Sequence, residues 1–309
     1  MRAHLPVSAF FSLMLMGCFA VSPRPGQLPD PGPGMQWRIT FQDKFSGTSV
    51  DKTMWNGGYA NLQWCRGETF PHSCAQNYDG LSELGGILTL QGVITDRRTF
   101  ANLRAAMNTG GLTEGTAKFS QRYGYFEWCL KLPHDEVGEG DGLWPAVWAL
   151  PIGKQAFPAD PSKRNCREGN EEVDVAEAVL GVGNMHQVHF SVHDYCYNSY
   201  SIAIPRSPGP DLSQSFHRYG VLWRNDGSPE GSMQAYFDGV PQGSPYVLDS
   251  RSKLWAKGIY LLNQLIPCPD QNKPFFNGSP CTAKTSDTDP LEITSVTAYT
   301  AIPLDSARK

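Results

Sequence analysis

Apolar and polar positions alternate along most of this chain, and no stretch sustains the apolar spacing of a helix. Strand side chains point to opposite faces in turn, so this alternation reads as half-buried strand. The pattern is cleanest over Tyr123 to Leu132, where Tyr125, Glu127, Cys129 and Lys131 alternate against Phe126, Trp128, Leu130 and Leu132. Further strands are predicted over Trp37 to Phe45, Gly86 to Leu90, Leu143 to Leu150, His189 to His193, Tyr219 to Arg224, Met233 to Asp238, Ile259 to Leu265 and Ile293 to Thr300. Asp238-Gly239 marks a hairpin, because both residues tolerate the positive φ of a tight turn. Asp51 to Asn56 reads as a helical turn or loop, and Gly57 to Asp79 as a long loop. With no repeat and no composition break, the economical organisation is one all-β domain over 36–303 and a short tail at 304–309.

One stretch breaks the alternation. Asn170-Glu171-Glu172-Val173-Asp174-Val175-Ala176-Glu177 is strand-like, with Glu172 and Asp174 on one face and Val173 and Val175 on the other. Glu177 falls one position out of step. An extra residue around Val175-Ala176, a β-bulge, would return it to the face of Glu172 and Asp174, and bulges are frequent beside active sites. Three acids would then share one groove, where like charges resist simultaneous ionisation. A solvated acidic strand or a calcium site would give the same composition.

The composition narrows the field. The formal net charge is −4 and 18% of the 309 residues are charged, with no basic block, so nucleic acid is excluded as an expected partner. Arg2 followed by an apolar run from Leu5 to Ala20 reads as a signal peptide over 1–20, too short to span a bilayer comfortably. Leu15-Met16-Gly17-Cys18 alternatively resembles a lipoprotein box, which would put a lipid anchor on Cys18. Residues 21–35 form a Pro- and Gly-rich leader. Export suits the eight cysteines. The expected pairs are Cys65 with Cys74, Cys166 with Cys196 and Cys268 with Cys281, which leaves Cys129 as a buried free thiol.

Trp144, Ala146 and Trp148 share a strand face. Two indoles there could stack against sugar rings while their N–H groups donate, or they could be core. His189 and His193 also share a face, and His193 would suit an orienting partner for an acid. No metal-binding, nucleophile-elbow, phosphate-loop or dinucleotide motif occurs.

Glu172-Val173-Asp174-Val175-Ala176-Glu177 resembles the Glu-x-Asp-x-x-Glu signature of glycoside hydrolase family 16, which includes laminarinases, agarases and carrageenases. Its neighbours are similar too: Tyr123-Gly124-Tyr125-Phe126-Glu127, Gly142 to Pro151, Val188 to His193, Phe216 to Trp223 and Tyr236-Phe237-Asp238-Gly239, in the family's order. The resemblance implies a concanavalin A-like jelly-roll sandwich of two curved antiparallel sheets, whose concave face is an open polysaccharide cleft. It implies a retaining double displacement, with Glu172 as nucleophile, Glu177 as acid/base and Asp174 between them, holding the nucleophile. Retention asks for carboxyl groups about 5–5.5 Å apart. Glu177 must stay protonated near neutral pH, although a free Glu titrates at about 4.3, so a raised pKa is required.

Trp144, Trp148, His193, Asn263 and Gln264 are the expected substrate-binding residues; the family's cleft Asn falls on Asn263 or Gln264. Glu171 is left facing away from the cleft as a bystander. Cys129 stands where the family commonly has Arg, and Thr294 where it often has a calcium-binding Asp. No cofactor is therefore expected, structural calcium being weakly supported. The expected protein is a secreted monomer acting on a polysaccharide, a β-1,3-glucan of laminarin type. Agar or carrageenan cleavage is the alternative, with Lys163, Arg164 and Arg167 in the insertion as the basic residues available to sulfated glycans. A rival from another class is a silent glucan-recognition protein on the same fold.

Overall fold

A computed structural model describes residues 28–58, 78–96, 101–103, 105–111, 114–134, 143–153, 171–178, 186–207, 209, 211–267 and 289–304. The strands are β1 (Met35–Asp43), β2 (Asn56–Gly57), β3 (Leu81–Leu84), β4 (Ile87–Leu90), β5 (Val93–Asp96), β6 (Ala101–Leu103), β7 (Ala105–Asn108), β8 (Gly124–Lys131) and β9 (Leu143–Pro151). They continue with β10 (Glu172–Glu177), β11 (Val188–His193), β12 (Ser199–Ile204), β13 (His217–Arg224), β14 (Ser232–Phe237), β15 (Val240–Val247), β16 (Ile259–Pro267) and β17 (Leu291–Pro303).

Apart from β5 and β6, which pair with each other, the strands form two antiparallel sheets in a jelly-roll sandwich. The back sheet runs β15-β14-β13-β8-β17-β4-β3, with β1 added against β17; the site sheet runs β12-β11-β10-β9-β16-β7-β2. Each sheet turns its apolar side inward, as the alternation predicts. Phe126, Trp128 and Leu130 of β8 and Tyr219, Val221 and Trp223 of β13 meet Val147 and Ala149 of β9, Val173 and Val175 of β10, and Val188, Phe190 and Val192 of β11. Burying each large apolar side chain stabilises the sandwich by about 1.5–3 kcal/mol before the cost of ordering it.

The outer face of the back sheet is covered locally. Tyr125, Leu222, Tyr236 and Tyr299 cluster there with Trp37 and Leu28. Trp37 Nε1 donates to the Pro29 carbonyl at 2.7 Å, and Arg224 Nη2 donates to the Asp30 carbonyl at 2.8 Å. The end of the Pro/Gly-rich leader is therefore fixed to the sheet from Leu28 onward. Cys129 is buried as expected, but it is disulfide-bonded rather than free, as is Cys196. The other cysteines, and so the predicted pairings, lie outside the described residues.

Candidate active site

The bulge is present. Along β9 the pairing steps from Asp174–Trp148 to Ala176–Val147, leaving Val175 as the extra residue, and the register to β11 shifts over the same interval. Glu177 thereby comes opposite Ala146, which shares a face of β9 with Trp144 and Trp148. Against β11, Glu172 opposes His193, Asp174 opposes Ser191 and Glu177 opposes His189. All three acids thus line the side of the site sheet turned away from the core.

The electrostatics follow from this crowding. Burial, then the charge of Asp174, then that of Glu172 push the Glu177 carboxyl up to about 8; an N–H···O bond from Trp144 Nε1 at 2.8 Å and nearby His193 work against them. A carboxyl out of water and beside like charges is cheapest in its neutral form. His193 Nε2 lies 3.2 Å from Asp174 Oδ2, the His side chain 44% exposed and the Asp side chain 4%. That contact raises the imidazole above its ordinary range, while burial opposes it.

Register settles which of Asn263 and Gln264 faces the cleft. Gln264 pairs with Ala146, so it lies in one cross-strand row with Ala146 and Glu177. Asn263 pairs with Val147 and faces inward, 0% exposed, its Oδ1 accepting from Trp128 Nε1 of the back sheet at 2.7 Å. Asn263 is therefore an intersheet tie, and its expected place among the substrate-binding residues is corrected. Trp148 is on the cleft face but only 6% exposed, in a cluster with Ala106, Ala146, Leu150, Ile152, Tyr260 and Leu262. It offers little open surface for stacking; Trp144 is half-buried, with its N–H committed to Glu177.

Sequence reasoning missed several neighbours. Ser191 and Ser201 are hydrogen-bonded Oγ to Oγ at 2.9 Å on the cleft side of β11 and β12. Glu171 is no bystander: it is fully buried and accepts from Ser252 Oγ. Asp194, fully buried next to His193, accepts from Tyr195 N–H, Asp249 N–H and Trp255 Nε1 at 2.7, 2.7 and 2.9 Å. Nothing in the local sequence separates these acids from surface charges.

Glu172, Asp174 and His193 each bring one ligand atom within 4.8 Å of the others, close enough to hold a cation, although exposed acids commonly sit so without one. Thr294, where the sequence resemblance would place a calcium-binding Asp, has a buried hydroxyl directed at the Cys129 carbonyl at 3.4 Å.

The model of the glycosyl hydrolases family 16 matches residues 87–243, half of the chain. The chain belongs to that family. Among curated relatives, the endo-1,3-1,4-beta-glycanase EglC of Rhizobium meliloti is 28% identical over 181 residues, 59% of this chain and 33% of that protein. The glucan endo-1,3-beta-glucosidase A1 of Niallia circulans is 27% identical over 212 residues, 65% of this chain and 28% of that protein. This family 16 chain thus spans about a third of the length of those relatives. Among solved structures, the laminarinase from Rhodothermus marinus superposes with a TM-score of 0.61 at 19% identity, covering 87% of this chain and 99% of that one. At that identity the likeness establishes the fold alone.

Proposed function

We propose that this family 16 protein is an exported endo-acting β-glucan hydrolase that works by a retaining double displacement, most naturally on a β-1,3-glucan. The observation that carries the reading is the bulge, which gathers Glu172, Asp174 and Glu177 on one face and leaves Glu177 protonated at neutral pH. In this mechanism Glu172 attacks the anomeric carbon while Glu177 gives its proton to the departing glycosidic oxygen. A glycosyl ester on Glu172 results. Esterification removes the Glu172 charge that helps to hold the proton on Glu177, so Glu177 becomes the base that deprotonates the incoming water. Asp174, beside both and in contact with His193, holds the nucleophile in line. Trp144 and Gln264 contact the sugar, and no step requires a metal or cofactor.

The substrate class follows the relatives named for 1,3- and 1,3-1,4-linked β-glucans. Export rests on the signal-like segment at 1–20, and the N-terminal mass of the mature chain tests it. Activity is tested by incubating the protein with laminarin, mixed-linkage glucan, agarose and carrageenan and measuring new reducing ends beside a Glu172→Gln control. Laminarin should be cleaved, the first product carrying the β-anomer. Binding without cleavage would sink the enzyme; preferential cleavage of agarose or carrageenan would sink the substrate; survival of activity in Glu172→Gln would sink the nucleophile.

A further inference from the structure

Two buried acids sit directly beside the paired residues of the site. Glu171 precedes Glu172, Asp194 follows His193, and Glu172 and His193 oppose each other across β10 and β11. Both are held by one segment, the connection from β15 to β16. Ser252 Oγ donates to Glu171, while Asp249 N–H and Trp255 Nε1 donate to Asp194. Tyr246, near the end of β15, also hydrogen-bonds Asp194. Arg251 of the same connection pairs with Asp249 and lies 4.7 Å from the ring centre of Tyr195. Trp255 is anchored in turn, edge-on to core Trp223 at 6.0 Å between centroids.

From this arrangement we infer that residues 249–255 are a positioning clamp for catalysis, with Glu171 and Asp194 as the handles it grips. Burying two carboxylates is costly unless donors surround them. An apolar residue at either position would fill the space without that cost, so stability alone does not ask for acids there. Acids do fix the backbone in three dimensions. A carboxylate held by directional hydrogen bonds, one from Ser252 to Glu171 and several to Asp194, resists sliding, and each handle is one peptide away from a residue whose placement decides the reaction. Glu171 and Asp194 touch no substrate; they act through Glu172 and through the His193–Asp174 contact. A displacement of about 1 Å at a reacting group can cost about 10²-fold in rate.

The inference rests on Glu172 being the nucleophile, and the test separates the two. The probe is a 2-deoxy-2-fluoro laminaribiosyl fluoride. Its C1–F bond breaks, fluoride leaves, and an ester forms between C1 and a Glu172 carboxylate oxygen without a proton from Glu177. Trapping is followed at saturating probe for wild type, Ser252→Ala, Trp255→Phe and Asp194→Asn, and the labelled peptide is identified by mass spectrometry. Trp55→Phe is the control, since Trp55 Nε1 donates to Asp43 Oδ2 at 2.7 Å, an indole–carboxylate contact of the same kind away from the site.

Ser252→Ala and Trp255→Phe should trap about tenfold or more slowly at unchanged probe affinity. The control should lose stability comparably and trap at the wild-type rate. Equal trapping rates in folded Ser252→Ala and Trp255→Phe, with the label on Glu172, would overturn the clamp while leaving the nucleophile in place. Absence of label on Glu172 in the wild type would overturn both. Asp194→Asn sharpens the result if it folds, and the milder pair decides it if it does not.

Discussion

Glu177 and Asp194 make an instructive pair. Each is a partly or fully buried carboxyl that accepts an indole N–H, from Trp144 at 2.8 Å and from Trp255 at 2.9 Å. They differ in what else surrounds them. Asp194 also accepts from two backbone N–H groups and hydrogen-bonds the Tyr246 hydroxyl, which makes it a structural anchor. Among the described residues Glu177 has one donor, and the charges of Asp174 and Glu172 stand nearby. The same contact therefore serves opposite ends. Where donors are many a buried carboxylate is fixed, and where they are few and like charges are close the carboxyl keeps its proton.

The largest effect should come from breaking the proton-holding member. Glu177→Gln should lower kcat on laminarin by about 10²–10⁴-fold, because the leaving sugar then departs without a proton. An aryl glycoside with a good leaving group needs little acid assistance, so its glycosylation step should be spared and azide should restore turnover. Loss of both steps alike would remove Glu177 from the acid/base role.

The two carboxyls should also separate in their effect on stability. The folded protein holds the Glu177 proton up to about 8, whereas a free Glu gives it up near 4.5. Between those values the folded state binds more protons than the unfolded chain, so stability falls as pH rises from about 4.5 to about 8 and levels off above. Urea midpoints should follow that slope in the wild type. In Glu177→Gln the slope should flatten, leaving the variant more stable than wild type at pH near 8. An unchanged slope would show that Glu177 titrates as an ordinary carboxyl. Asp194→Asn should go the other way, because its amide N–H₂ faces donors. A loss of about 1–3 kcal/mol is expected from the orphaned groups, read from the same urea midpoints. A neutral effect would mean that the Asp194 contacts are replaceable.

Much of this contrast lies at the boundary of what a sequence can disclose. The bulge was readable because Glu177 breaks an otherwise regular alternation, and the β10 register bears it out. The choice between Asn263 and Gln264 was not readable: adjacent strand residues face opposite ways, and only pairing with Ala146 or Val147 assigns the face. The strand at β15 was hidden by Pro241, Gly243 and Pro245, which an edge strand tolerates and which elsewhere would break one. Glu171 and Asp194 were hidden for a deeper reason. A buried acid is recognisable only by its donors, and apart from the adjacent Tyr195 N–H these come from distant positions: Tyr246 on β15 and residues 249–255.

The smallest effect is also the most discriminating. Trp144→Phe keeps a smaller aromatic ring on the cleft face and deletes the N–H that lowers the Glu177 pKa. With burial and the neighbouring charges unopposed by that donor, the carboxyl should hold its proton to still higher pH. The alkaline limb of kcat/KM should therefore move upward from its wild-type position while kcat at neutral pH changes little, since the acid form is already dominant there. Trp255→Phe deletes the matching N–H at Asp194, which has no part in proton transfer, so its alkaline limb should stay put even as turnover slows. A downward move in Trp144→Phe would mean that the indole contributes chiefly through excluding water, with its hydrogen bond secondary.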